Sequence, residues 1–171
     1  MIVIVMGLPG SGKSYFASRL AEMMNACYIS SDKVRKTLIG KSTYLEEEKE
    51  LVYANMLAQM QRMNKENKDV VLDATFYTNA IRKKFINAAG ETAQIIFIEI
   101  IAIEDLIKER LKQIREDSEA DFSIYKIIRG MWEAPQQAHL RLESTNTNID
   151  SMLSKTLKYL DLHRNDQGRN K

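Results

Sequence analysis

Residues 1–14 read MIVIVMGLPGSGKS, and three of the chain's seven glycines fall between positions 7 and 12. The first six residues are apolar without a break, which suits a strand covered on both faces rather than one with a wet side. Gly7, Gly10 and Gly12 then bare the backbone, so that successive N–H groups can converge on one anion with no Cβ in the way. Gly7-x-x-x-x-Gly12-Lys13-Ser14 fits the phosphate-loop pattern, and it sits in the required context, between a strand and a helix opening near Lys13. The helix start adds partial positive charge. The residues from Gly7 through Leu8, Pro9, Gly10, Ser11, Gly12, Lys13 and Ser14 to Tyr15 are therefore expected to cradle ATP. Lys13 would reach the β- and γ-phosphates, and the Ser14 hydroxyl would ligate Mg²⁺.

Outward from this stretch, apolar runs alternate with helical patterns. ACYIS (26–30), DVVLDAT (69–75) and AQIIFIEIIA (93–102) read as further buried strands, and HLRLEST (139–145) as a fifth, edge-like one. Helical spacing is seen over 13–24, 46–65, 78–89, 104–116 and 148–163, and Tyr53, Met56, Leu57, Met60 and Met63 form a stripe best read as adaptable core packing. Strand–helix alternation implies an α/β architecture with a parallel sheet and helices on both faces. The expected organisation is one domain over 1–163, with a lid at about 104–130 and a frayed tail over 164–171.

The chain has 171 residues, 44% hydrophobic and 28% charged, and 25 Lys and Arg against 23 Asp and Glu give a net charge of +2. A chain of this length buries roughly 68–70% of its unfolded surface and needs no staples. Any basic surface must be local. The single cysteine, Cys27, excludes an internal disulfide and fits a reducing, cytoplasmic setting. The opening apolar run is too short for a membrane span, and no signal-peptide pattern follows it. His139 and His163 lack ligand spacing.

Phosphoryl transfer to an alcohol needs an acceptor-side carboxylate, a metal-side carboxylate and cations that close over the phosphates. In SSDKVR (30–35), Asp32 is placed to accept the proton of an attacking hydroxyl, and Arg35, one turn on, to hold an anionic group of the acceptor. Ser31 or Asp32 acting only as a helix cap is the other reading, and the two can coexist. Asp73, at a strand's carboxyl end, is a candidate to bind the metal through water or to orient Ser14; a turn aspartate is the alternative. Arg110 and Arg115 flank the apolar stripe Ile107, Leu111 and Ile114. They are either lid arginines, one stacking on the base and one meeting the γ-phosphate, or solvated surface cations.

The set GLPGSGKS, SSDKVR, VVLDAT and RLKQIREDSEADFS resembles the P-loop kinases related to 5′-hydroxyl polynucleotide kinases, whose more distant relatives include zeta toxins and small-molecule kinases. The resemblance spans about residues 1–145. It implies a three-layer P-loop fold with strand order 2-3-1-4-5 and a helical lid. It also implies a general base and an acceptor-phosphate arginine at Asp32 and Arg35, a strand-end carboxylate at Asp73, and lid arginines at Arg110 and Arg115. Phe76 departs from the Ala-Thr-Asn that often follows that aspartate. The expected activity is transfer of the γ-phosphoryl of ATP to an alcohol, with a polynucleotide 5′-hydroxyl as first acceptor and a small molecule or nucleoside as the alternative. Lys33, Arg35, Lys36 and Lys41, with Arg82, Lys83 and Lys84, would serve a nucleic-acid approach, and Tyr44, Phe76, Tyr77 and Trp132 would either stack on bases or pack in the core. A nucleotide switch or a non-catalytic nucleotide binder is the reading of another class.

Overall fold

The computed structural model describes residues 1–39, 45–90, 93–112 and 121–168. Five strands, β1 (Ile2–Met6), β2 (Cys27–Ser30), β3 (Val70–Asp73), β4 (Ile95–Ile101) and β5 (His139–Glu143), form one sheet in the order β2-β3-β1-β4-β5. Every pairing is parallel. The register sets Val5 of β1 against Asp73 of β3, and Asp73 against Ser30 of β2, so the carboxyl ends that carry the candidate residues share one edge.

The unbroken apolar run of β1 is explained by its central place. All five residues are fully buried, and alternate side chains feed opposite layers. Ile2, Ile4 and Met6 pack with Val52, Met56, Met60 and Phe85 on one face. Val3 and Val5 pack with Phe16, Leu20, Met152 and Leu160 on the other. The first layer is covered by α3 (Glu46–Lys65) and α4 (Asn79–Ala89), the second by α1 (Lys13–Met24) and α7 (Ile149–Gly168). The methionine stripe of α3 is core, as its spacing predicts. At the start of α4 the Thr78 hydroxyl accepts the Ile81 N–H, a cap worth about 1 kcal/mol.

Two helices stand at the carboxyl edge beyond β4: α5 (Glu104–Leu111) and α6 (Phe122–Gly130). Asp121 caps α6, its carboxylate accepting the N–H groups of Ser123 and Ile124 at 2.8 and 3.0 Å. The pattern that suggested one helix over 104–116 ends at Leu111 within the described residues, and Arg115 lies outside them. The last helix, expected to end near His163, runs on to Gly168. No helix among the described residues is long and apolar enough to cross a membrane.

Candidate active site

The phosphate loop is shaped by close approach as much as by torsion. A Cβ on Gly7 would lie 2.3 Å from the Ile100 carbonyl oxygen, so no side chain fits between the loop and the end of β4. Gly12 has φ +91°, and its Cβ would meet Ser144 Oγ at 2.7 Å and Arg110 Nη1 at 3.1 Å. Lys13 opens α1, whose first-turn amides have no intrahelical partner and are left for an anion.

One cavity joins the loop to the acceptor-side candidates. It is lined by Pro9, Gly10, Lys13 and Ser14 from the loop and by Asp32 and Arg35 from α2 (Ser31–Ile39). Leu111 of α5 and Ile124 and Ile128 of α6 form an apolar wall across from them. Asp32 is in the first turn of α2, where its charge also suits the helix dipole. Arg35 Nη1 donates to Asp32 Oδ1 at 2.9 Å, and Arg35 Nε lies 3.3 Å from Glu48 Oε1 of α3. Glu48 is only 8% exposed. The guanidinium is thus held between two carboxylates and fixes the direction in which Asp32 points.

Asp73 is 1% exposed. Burial pushes its carboxyl above the usual range, while the Lys13 ammonium, the Tyr28 phenol and the Ser14 hydroxyl each favour the charged form. Tyr28 donates to Asp73 Oδ2 at 2.7 Å, whereas Oδ1 has no hydrogen-bond partner among the described residues. A buried carboxylate oxygen left open beside an alcohol and an ammonium fits a hydrated divalent cation. Among the described residues, no cluster of three or more His, Cys, Asp or Glu side chains makes a cage of its own. The Tyr53 and Tyr77 phenols are both raised, Tyr77 to about 12, chiefly by burial, so at neutral pH they stay protonated and position rather than titrate.

Arg110 takes a different place from a cation aimed at the γ-phosphate. Its Nη1 donates to the carbonyls of Gly10 and Ser11 at 3.3 and 3.1 Å and to Ser144 Oγ at 2.9 Å, and Nε and Nη2 reach Asn146 Oδ1. It lines a second cavity of about 350 Å³ with Gly12, Tyr15, Thr145, Asn146 and Met152. Sequence reasoning missed the turn after β5 that forms this wall. Leu8 and Ser11 face a third space behind the loop, with Gly7, and Ser11 Oγ is buried there without a partner among the described residues.

Two cations expected to serve a nucleic acid are engaged by groups of the protein itself. Arg82 is 0% exposed and donates to the carbonyls of Phe76, Tyr77 and Glu133 and to Asn79 Oδ1. Arg35 is occupied as described above. Phe76 is fully buried against Tyr53 and Phe85, with its backbone in the left-handed region at φ 48°. The Tyr53 hydroxyl accepts its N–H at 3.1 Å. Of the expected aromatic groups, Phe76 and Tyr77 are core, Trp132 is half-buried beneath the Arg82 guanidinium at 5.5 Å, and Tyr44, like Lys41, lies outside the described residues.

A parallel 2-3-1-4-5 sheet with the phosphate loop after its central strand, and a helical pair above the carboxyl edge, is the fold of the P-loop kinases. The chain belongs to an AAA domain family whose model matches residues 2–151. Among solved structures it is similar to a sugar kinase from Janibacter sp. HTCC2649, at 17% identity and a TM-score of 0.73, covering 94% of each chain. It is similar also to the Mycobacterium tuberculosis APS kinase in complex with AMPPNP and APS, at 16% identity and a TM-score of 0.68, over 94% of this chain and 96% of that one. A gluconokinase from Sinorhizobium meliloti 1021 matches at 17% identity and a TM-score of 0.62, over 94% and 95%.

Proposed function

We propose that the chain is an ATP-dependent phosphotransferase acting on the hydroxyl of a small molecule. The observation that carries this reading is the single cavity in which Lys13 and Ser14 of the phosphate loop face Asp32, with Leu111, Ile124 and Ile128 closing the opposite side. A switch or a passive binder has no use for a carboxylate pinned by an arginine on the side of the cavity facing the phosphate loop. The similar structures named for small acceptors, a sugar kinase, a gluconokinase and an APS kinase, support this choice. A polynucleotide 5′-hydroxyl acceptor is the weaker reading, because Arg35 and Arg82 spend their donors inside the protein.

In this mechanism the triphosphate lies on the loop amides and Lys13, and the nucleoside lies between Arg110 and the 144–149 turn. Mg²⁺, held by Ser14 and through water by Asp73, would supply charge neutralisation at the β- and γ-phosphates. Asp32 takes the proton of the acceptor hydroxyl as its oxygen bonds to the γ-phosphorus. The bond from the γ-phosphorus to the bridging oxygen breaks, and ADP leaves with that oxygen. Arg35 keeps Asp32 in line. The apolar faces of α5 and α6 exclude water and limit wasteful hydrolysis.

The test is transfer of labelled γ-phosphate to a panel of sugars, sugar acids, nucleosides and 5′-hydroxyl oligonucleotides, with ATP binding measured separately. Acceptor-dependent ADP formation is expected. ATP binding with no acceptor-dependent turnover across the panel would overturn the reading, and preferred transfer to oligonucleotides would restore the polynucleotide one.

A further inference from the structure

We infer that the acceptor is an alcohol carried on a planar ring system of nucleoside size, whose ring lies in the groove between α3 and α4. This inference rests on the phosphotransferase reading above and names its substrate class.

Volume makes the first part of the case. The cavity holding Lys13, Ser14 and Asp32 measures about 60 Å³. One water needs roughly 10–15 Å³ of such space, so about four to six atoms of that size fit. A phosphoryl group and its in-line hydroxyl take up that room. The rest of any acceptor larger than a hydroxymethyl group must therefore lie elsewhere. Lys49, Tyr53 and Tyr77 line this cavity and also line a second one of about 280 Å³ between α3 and α4, so the two share a wall. On the same scale the second space holds roughly twenty such groups, the size of a ring system with its sugar.

The lining supplies the chemistry. The inner surface is Tyr53, Ala54, Leu57, Tyr77, Ile81 and Phe85. Half of these are aromatic; Tyr77 and Phe85 are almost wholly buried, so the ring a planar occupant meets most directly is that of the half-buried Tyr53. Around them, Glu46 and Glu50 are balanced by Lys49 and Lys84. Lys49 Nζ is 3.0 Å from Glu46 Oε2 and sits over the Tyr77 ring at 5.6 Å, and the Tyr77 hydroxyl donates to Glu46 Oε1 at 3.4 Å. The two carboxylates and two ammonium groups offset one another, so the groove offers no net positive charge to a string of phosphates, whereas a neutral ring meets apolar and aromatic walls. Lys49 and Tyr77 line both spaces, and there a ring substituent or sugar hydroxyl can replace the bond between Tyr77 and Glu46.

The test uses the full chain, with the four ribonucleosides as probes and glycerol, gluconate and a 5′-hydroxyl oligonucleotide as competitors. The nucleotide site is kept filled with AMPPNP in binding measurements. A ribonucleoside is expected to bind by calorimetry and to be the best acceptor. Ala54→Trp, at an exposed position in the groove, is expected to lower kcat/KM for that nucleoside by about 10–100-fold, a size-exclusion effect, with transfer to glycerol and affinity for ATP unchanged. Ala54→Leu, a smaller filler, is expected to give an intermediate loss even if the tryptophan variant folds poorly. Glycerol, gluconate or the oligonucleotide as best acceptor, or nucleoside transfer indifferent to both fillers, would overturn the inference. ATP binding without nucleoside binding sinks this inference alone; absence of ATP binding sinks the phosphotransferase reading instead.

Discussion

The two halves of the cavity are built from different materials. The nucleotide half is backbone: loop amides, a glycine pressed against the Ile100 carbonyl, and carbonyls of Gly10 and Ser11 tied down by Arg110. The acceptor half is side chain: Asp32 held by Arg35, Arg35 held by Glu48, Asp73 held by Tyr28, drawn from four elements. A backbone cradle is rigid and takes any triphosphate. A chain of side chains from α2, α3, β2 and β3 can be rebuilt one residue at a time without moving the sheet, so the fold can keep one donor while it changes acceptors.

That contrast predicts which changes cut transfer and which cut ATP binding. Asp32→Asn is expected to cost about 10²–10⁴ in transfer, the usual range for a lost general base, with ATP affinity retained. Equal losses in both, measured by calorimetry and labelled transfer, would erase the distinction between the halves. Gly12→Ala must hold a Cβ at φ +91° within 2.7 Å of Ser144 Oγ. Such strain costs about 1–3 kcal/mol, so ATP affinity should fall by about tenfold or more while acceptor KM stays level. Glu48→Gln loosens Arg35 and, through it, Asp32. A drop of about tenfold in kcat with unchanged ATP affinity is expected, in keeping with the sensitivity of transfer to small misplacements; rescue by Glu48→Asp would be absent if Glu48 served only to fill space.

The smallest effect concerns stability. Burial raises the Asp73 carboxyl above its ordinary value of 3.8, so the folded protein holds that proton more tightly than the unfolded chain does. Stability therefore falls as pH rises through the raised value, and the charged form carries a standing cost at neutral pH. Asp73→Asn is expected to raise Tm at pH 7 in the absence of nucleotide. The gain should shrink towards zero as pH drops below about 3.8, where both states come to carry the proton. A gain that persists unchanged at low pH would assign it to something other than this carboxyl.

The same division decides what could be read in advance. Glycine spacing, the apolar run of β1 and the bounds of α3 at Glu46 and Lys65 follow from local geometry and periodicity, and the structure agrees. Glu48 did not stand out, because it sits in the charged run EEEKE. Its signal was its spacing: Glu48, Val52 and Met56 recur every four residues on the buried face. Lys49 and Tyr53 share the adjoining face in the same way, towards the cavity. Ser144 and Asn146 gave no such sign. Their role exists only because β5 runs parallel beside β4 and delivers its following turn to the loop, a fact of tertiary placement. Arg82, in the run RKK, was misread as surface charge because nothing local shows that three carbonyls converge on it.

That arginine bolts two parts of the molecule to one rivet. Its guanidinium grips the stretch just beyond β3, where Phe76 and Tyr77 lie, and the Glu133 carbonyl just beyond α6. Glu133 N–H returns a bond to the Tyr77 carbonyl at 2.8 Å, and the Glu133 carboxylate accepts the Asn79 N–H. The root of the upper helices and the stretch beyond β3 are therefore tied through one side chain. A displacement of Tyr77 would strain the bonds that also hold Glu133, so neither side of this contact gives way alone.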